Sequence, residues 1–447
     1  MEKRTFLKLS SALLTGTVLS PIMSSCAEGE KQKNWAGNFE YSTTRIHSPK
    51  TTSEVQEIVK KLSKLRVLGT RHSFNSIADS KNNLLSLKGL DQIELNKETS
   101  TVTIGSGVNY GQLSKYLYSN GFALHNLASL PHISVAGACA TATHGSGIAN
   151  GNLATAITAL EFVKANGEVL NLSREKDPDA FPGAVVGLGG LGAVTKLTLK
   201  VLPSFNVRQD IYENLPVDQL KDNFDEIMGA GYSVSLFTDW QNKTVSQVWI
   251  KSKKEEGGVI DMKPEFFGAK AATRNMHPIT ALSAENCTEQ MGVPGPWHER
   301  LPHFKMDFTP SSGVELQSEY FVPRDKGYQA LLAVEELKDE ITPHLLISEI
   351  RTVAADDLWM STAYRQPAMA IHFTWKQDWP SVSKVLPKIE EKLKPFGVRA
   401  HWGKLFTLSP SYLRSQYDKT TDFKKLLTQH DPDGKFRNEF LDVMIFG

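Results

Sequence analysis

Apolar positions recur every three or four residues over Val55 to Leu65, Tyr110 to Asn120, Tyr328 to Glu340 and Val382 to Leu393. That period places them on one face of a helix. Elsewhere they fall in short β-rich runs: Leu65 to Leu68, Thr101 to Ile104, Ala156 to Val163 and Val194 to Val201 in the first half. Longer runs follow at Tyr232 to Trp240, Val245 to Lys251, Leu316 to Val322, Leu345 to Val353 and Met369 to Trp375. The change of character near residue 205 predicts two α+β domains, over 37–204 and 205–405. A helical piece at 410–429 lies in a C-terminal segment, 406–447, expected to return to the first domain. The length of 447 residues agrees with this division, because a single hydrophobic core stops growing at roughly 250 to 300 residues.

The first 25 residues follow another pattern. Lys3-Arg4-Thr5-Phe6-Leu7-Lys8 is basic, Leu9 to Met23 carries no charge, and Ser24-Ser25-Cys26 ends the run on small residues. A membrane span needs about 20 apolar residues, so this stretch reads as a signal peptide over 1–25. Small residues directly before Cys26 resemble a bacterial lipobox, which makes Cys26 the lipidated first residue of the mature chain. The Lys-Arg start resembles a twin-arginine export signal with one arginine replaced. The expectation is an exported protein, periplasmic or lipid-anchored to a bacterial cell membrane, with the polar residues 26–36 as a tether.

Charge narrows the partners. Fifty Lys and Arg face 49 Asp and Glu, so no field draws the chain to nucleic acid, and a small uncharged substrate fits this balance. Besides Cys26 there are only Cys139 and Cys287. That excludes a disulfide-built scaffold, and the sequence leaves open whether the two pair.

Two motifs mislead. Ile104-Gly105-Ser106-Gly107-Val108-Asn109-Tyr110-Gly111 imitates a dinucleotide fingerprint, but its third glycine comes one residue late and no acidic residue follows about 20 positions on. His298-Glu299-Arg300-Leu301-Pro302-His303 imitates a zinc-protease helix, but its histidines are five apart and Pro302 breaks a helix. No metal site is expected.

Two loops carry more information. In Val67-Leu68-Gly69-Thr70-Arg71-His72-Ser73-Phe74 a histidine follows a glycine turn at a strand end. Residues 126 to 147, N-L-A-S-L-P-H-I-S-V-A-G-A-C-A-T-A-T-H-G-S-G, concentrate small and hydroxyl side chains. Such a loop lets backbone N–H groups approach a pyrophosphate closely.

Together these loops resemble those of the vanillyl-alcohol-oxidase, or PCMH-type, FAD flavoproteins. Gly187-Leu188-Gly189-Gly190-Leu191-Gly192-Ala193-Val194-Thr195 resembles the superfamily's third marker, at the adenine and ribose end. The resemblance narrows to alditol oxidases. It rests on Asn34-Trp35-Ala36-Gly37-Asn38, S-L-P-H-I-S-V-A-G, S-V-S-L-F-T-D-W, C-T-E-Q-M-G-V-P-G-P-W-H-E-R-L-P-H-F, E-L-Q-S-E-Y, E-I-R-T-V-A-A-D, H-F-T-W and H-W-G-K. It implies a two-domain fold with an FAD-binding domain and a substrate cap. It also implies FAD attached covalently through its 8α-methyl carbon to His72. Leu130 stands where doubly tethered relatives have cysteine, so one link is expected. The cofactor residues so implied are Leu68, Gly69, Thr70, Arg71, His72, Ser73, Asn126, Ser129, Ser134, Gly137, Thr141, His144, Gly145 and Ala193. Ser129, Glu349, Arg351, Thr374 and Lys404 are the implied polyol contacts. Lys435, Phe436 and Asn438 are expected against the isoalloxazine, and His401 and Trp402 in packing.

The residue types suit that chemistry. Glu349 and Arg351 are two apart in one apparent strand, as are His372 and Thr374 in another, so each pair points to one face. Together they would make a hydrogen-bonding floor for a substrate with several hydroxyls. The implied reaction oxidises the terminal C1 hydroxyl of an acyclic polyol such as xylitol or sorbitol to the aldose, by hydride transfer to flavin N5. Molecular oxygen is then reduced to hydrogen peroxide, and His372 or Lys404 manages the proton. Two alternatives stay open: a sugar-1,4-lactone oxidase or dehydrogenase of the same superfamily, and an inactive carbohydrate-binding lipoprotein.

Overall fold

The computed structural model describes residues 31–254, 263–306 and 314–447, so the proposed signal peptide and Cys26 lie outside the described residues. The fold begins earlier than expected. Residues 31–36, part of the predicted tether, are already engaged: Asn34 and Ala36 are buried, and Trp35 N–H donates to Arg71 O. The side chain of Asn34 donates to Ser73 O at 2.9 Å, so its polarity serves a buried contact rather than solvation.

Three short parallel strands come first, β1 (Ile46–His47), β2 (Arg66–Leu68) and β3 (Leu84–Ser86), in the order β1-β3-β2. An antiparallel sheet follows, made of β4 (Ile93–Asn96), β5 (Thr101–Gly105), β6 (Ile157–Val163), β7 (Val169–Ser173) and β8 (Ala193–Lys200), ordered β4-β5-β8-β6-β7. Along β8 burial alternates residue by residue, as a strand with one face on the core requires. Helices α1 (Thr52–Lys61) and α2 (Tyr110–Ser119) flank these sheets. Thr51 caps the first, and Asn109 with Gln112 forms a capping box on the second.

The second half is one large antiparallel sheet. Its main strands are β9 (Asn206–Pro216), β10 (Ser233–Thr238), β11 (Thr244–Lys254), β12 (Glu315–Pro323), β13 (Leu345–Val353) and β14 (Ala368–Lys376), ordered β9-β11-β10-β13-β14-β12. One face carries Tyr320, Val322, Ile371, Phe373 and Trp375 into a core shared with helices α3 (Gly327–Glu335) and α4 (Trp379–Leu393). The other face is left for polar side chains. Strand β9 escaped the sequence analysis because its Arg208-Gln209-Asp210 breaks any apolar alternation. Those residues are nonetheless buried, Arg208 bonding Asp210 at 2.6 Å. The helix expected over Tyr328 to Glu340 splits where Leu337 leaves helical angles. That expected over 410–429 is two helices, Pro410–Ser415 and Thr420–His430.

The C-terminal segment lies on the first sheets. Leu65 N–H donates to Lys435 O, and the Asn438 amide donates to the carbonyls of Ser76, Ile77 and Asp79. Phe436 is fully buried among Val55, Val59 and Leu65. Lys435, Phe436 and Asn438 therefore fasten the chain end and do not line the cavity described below, contrary to their expected place against the isoalloxazine. Cys139 and Cys287 are both free and buried.

Candidate active site

One cavity of about 830 Å³ runs from the three loops of the first half to the polar face of the large sheet. Its first wall is Gly69 to Ser73, directly after β2. His72 stacks on Trp35 with ring centroids 5.1 Å apart. Burial, with His132 and Arg71 nearby, pushes its pKa down to about 4, so the ring is neutral at neutral pH. The second wall holds Ser129, Leu130, Ser134, Gly137 and Thr141, and the third Leu188, Gly189 and Gly192. The first two walls touch: Ser134 N–H donates to Thr70 Oγ1 at 3.1 Å. A Cβ added at Gly69 or Gly137 would meet Ser134 Oγ at 2.9 or 2.8 Å, so these glycines permit the close approach. Arg71, Ala142 and Leu188, one per loop, hold positive φ without being glycine, a conformation retained only where the surroundings enforce it.

The cavity's far end is a floor set by strand register. Phe237 on β10 pairs with Glu349 on β13, Glu349 with His372 on β14, and His372 with Glu319 on β12. The next row joins Ile347, Thr374 and Gln317. Directly opposed residues have Cβ atoms about 5 Å apart, so the two i, i+2 pairs read from the sequence do share one face on neighbouring strands.

Glu319, 1 % exposed, is the centre of this floor. It accepts from Arg351 Nη2 at 2.6 Å and from Lys404 Nζ at 2.8 Å, and lies 3.2 Å from His144 Nε2. Burial alone would raise its pKa, but Lys404, His144 and Arg351 outweigh burial and hold the carboxyl well below the usual range. Lys404 Nζ also donates to His372 Nδ1 at 2.9 Å, and His372 Nε2 lies 3.0 Å from Thr374 Oγ1. A neutral imidazole that accepts at Nδ1 carries its proton at Nε2. Burial and then Lys404 push His372 well below its ordinary pKa, and burial lowers Lys404 against the pull of Glu319. Glu349 Oε1 accepts from His303 Nε2 at 2.8 Å. Arg351 Nη1 reaches Ser129 Oγ at 3.5 Å, joining the floor to the second loop.

Of the residues implied by resemblance, Leu68, Gly69, Thr70, Arg71, His72, Ser73, Ser129, Ser134, Gly137, Thr141, His144, Glu349, Arg351, His372, Thr374 and Lys404 line this cavity. Three do not. Asn126 is buried behind the second loop, where its side chain bonds Ser146 O and Leu127 N–H; Gly145 sits against it. Ala193 packs with Val163 and Phe436. His144 belongs to the Glu319 cluster as well as to the loop.

Sequence reasoning missed Glu319, Gln317 and His303. The first two share the i, i+2 polar alternation of the recognised pairs within E-L-Q-S-E-Y, a signal that was present and unused. His303 was set aside with the false zinc motif; among the described residues there is no metal-binding cluster. His401, assigned to packing, lines the cavity as well.

Residues 44–173 match the family model described as FAD binding domain, and 311–444 match that of D-arabinono-1,4-lactone oxidase. The chain is 44% identical over 93% of its length to an alditol oxidase of Streptomyces sp., covering 99% of that protein. It is 27% identical to an L-gulono-1,4-lactone dehydrogenase of Mycobacterium tuberculosis, covering 91% of this chain and 97% of that one. A cholesterol oxidase structure from B. sterolicum superposes with a TM-score of 0.74 at 16% identity, over 93% of this chain and 96% of that one. The fold is thus that of the vanillyl-alcohol-oxidase type, two-domain and α+β. By its identity to the Streptomyces protein over nearly the whole length of both, the chain belongs to the alditol oxidase family of FAD-dependent oxidoreductases.

Proposed function

We propose that this protein oxidises the terminal C1 hydroxyl of acyclic polyols such as xylitol and sorbitol to the aldose, with oxygen reduced to hydrogen peroxide. The observation that carries this reading is the cross-strand row Glu349–His372–Glu319 with Arg351 and Lys404, a charged floor open to the cavity that the three loops line. Donors and acceptors at this density suit a chain of hydroxyls, and a polyol lacking one would leave a buried polar group unpaired. Arg351 Nε supports this: among the described residues it has no hydrogen-bond partner, lying 3.6 Å from Glu349 Oε1.

The loop residues fit FAD. Closely abutting glycines, the hydroxyls of Thr70, Ser73, Ser134 and Thr141, and the neutral His72 ring line the first and second walls. When bound, FAD supplies the two-electron oxidation, taking hydride from C1 and passing the electrons to oxygen. Ser129, Glu349, Arg351 and Thr374 hold the polyol. Lys404 draws the C1 oxygen as it loses its proton, and His372 Nδ1 receives that proton once Lys404 donates to the substrate instead. His72, uncharged and therefore with a nitrogen lone pair, would hold FAD through the 8α-methyl carbon. In His72→Ala, flavin should be extractable with acid; flavin that stays with the precipitated mutant protein would refute the attachment. Residues 1–25 would act as an export signal and Cys26 as the lipid anchor to a bacterial membrane. Among the described residues no helix is long and apolar enough to cross one.

A second reading follows from the 311–444 match: a sugar-1,4-lactone as substrate. Anaerobic mixing of the purified protein with xylitol, sorbitol and a galactonolactone, followed by air, separates the two. Bleaching of the flavin absorbance by the open-chain polyols with fast recovery in air is the expected outcome. Bleaching by the lactone alone would transfer the protein to the second reading.

A further inference from the structure

The false zinc motif places a histidine where it does something else. His303 lines the cavity beside Glu349 and is set in a box: its ring meets Phe237 and Trp249 edge to face at 5.5 and 5.2 Å, and its backbone N–H donates to Ser129 O at 3.3 Å. Behind it, outside the cavity, lies Lys251, 1 % exposed, with its pKa lowered by burial to about 7. Its Nζ donates to three acceptors, Leu301 O at 2.5 Å, Pro302 O at 3.1 Å and His303 Nδ1 at 3.1 Å. Three acceptors match the three donors of an ammonium group.

This arrangement sets a direction along the chain Lys251–His303–Glu349. An ammonium donating into Nδ1 obliges the neutral imidazole to carry its proton at Nε2. That proton points at Glu349 Oε1, which lies 2.8 Å from Nε2. Burial and Lys251 hold His303 down near 4, so the ring stays a one-proton donor rather than a second cation. Glu349 Oε2 makes no hydrogen bond among the described residues, and the residue lines the cavity. Opposite, Lys404–His372–Thr374 has the same construction: a lysine donating to Nδ1, and Nε2 directed to a group on the floor.

We propose that Lys251 and His303 are positioning residues of the substrate site: Lys251 fixes the tautomer of His303, and His303 fixes Glu349 so that Oε2 accepts a polyol hydroxyl. The inference rests on the reading of Glu349 as a polyol contact.

The test compares KM and kcat for xylitol, flavin content and thermal stability among the holoenzyme and its variants E349Q, H303L, H303Q, K251M and K251M/H303L. In H303L, KM should rise about ten-fold or more while kcat stays within about three-fold and flavin is retained, the signature of lost ground-state binding. H303Q, which keeps an N–H donor near Glu349, should recover most of that loss. K251M should also raise KM, but adding it to H303L should raise KM no further, because Lys251 acts through the imidazole. His303→Phe, which fills the same aromatic box without a donor, replaces H303L if the latter does not fold. Equal losses in H303Q and H303L, or a double variant whose KM effects simply multiply, would overturn the proposal. An unchanged KM in E349Q would overturn the reading of Glu349 itself; a raised KM in E349Q beside an unchanged one in H303L would overturn the positioning role alone.

Discussion

Glu319 shows what a single buried carboxylate organises. Arg351 and Lys404 both pair with it, and its own carboxylate is 1 % exposed. Breaking a buried ion pair from one side leaves the partner charge uncompensated and costs about 3–5 kcal/mol. Glu319→Ala should therefore lower the free energy of unfolding by about that amount in urea titrations and abolish polyol turnover. A variant of wild-type stability would show that the two cations find other partners. The same residue shows why residue-level reading is partial. Glu349, Arg351, His372 and Thr374 could be picked out as polar residues two apart in apolar strands. Glu319 obeys the same rule, but nothing in its own strand indicates that Lys404, 85 positions later, will reach it.

Among the elements, β2 joins the third loop to the C-terminal segment. Arg66, fully buried in that strand, donates to Ile77 O twice, to Leu188 and Gly189 in the third loop, and to Phe436 in the C-terminal segment. Among the described residues carbonyl oxygens accept all of its hydrogen bonds, and burial, opposed by Asp431, lowers its pKa to about 9. Arg66→Met would leave the buried carbonyls of Leu188, Gly189 and Phe436 without donors, each worth about 1–3 kcal/mol when unsatisfied, while Ile77 O keeps the Asn438 amide. The expected result is faster amide exchange in both 188–192 and 435–441. Exchange confined to one segment would show that Arg66 does not couple them. The strands themselves were legible wherever apolar residues alternated or ran together. Strand β9 was not, because Arg208, Gln209 and Asp210 interrupt its apolar pattern although all three are buried, Arg208 pairing with Asp210.

For the whole molecule, burial of imidazoles sets the acid limit. His72 and His303 are pushed down to about 4 and His401 to about 3, each chiefly by burial. Below pH 6.5 the unfolded chain binds protons at these rings and the folded chain does not, so unfolding takes up protons and stability falls as pH falls. Glu319 and Glu349, held below 4.5 by their cations, extend the same slope to lower pH. The melting temperature should therefore decline steadily from pH 6.5 to 4, with proton uptake on unfolding at pH 5.5 measurable by calorimetry in buffers of different ionisation enthalpy. A flat profile would mean that the rings titrate normally.

Much was decided locally. The period of apolar positions, the small-residue loops and the Gly69 turn before His72 depend on neighbours in sequence; they were enough to indicate α+β domains, a loop suited to a pyrophosphate and a polar floor, and the flavin came from the resemblance of those loops to a known family. What depended on register and packing was out of reach. The meeting of Glu319 with Arg351, Lys404 and His144, the turn of Asn126 and Ala193 away from the cavity, and the Lys251–His303–Glu349 chain each join residues tens or hundreds of positions apart. A buried charge is stable only beside its partner, and only the folded sheet says which partner that is.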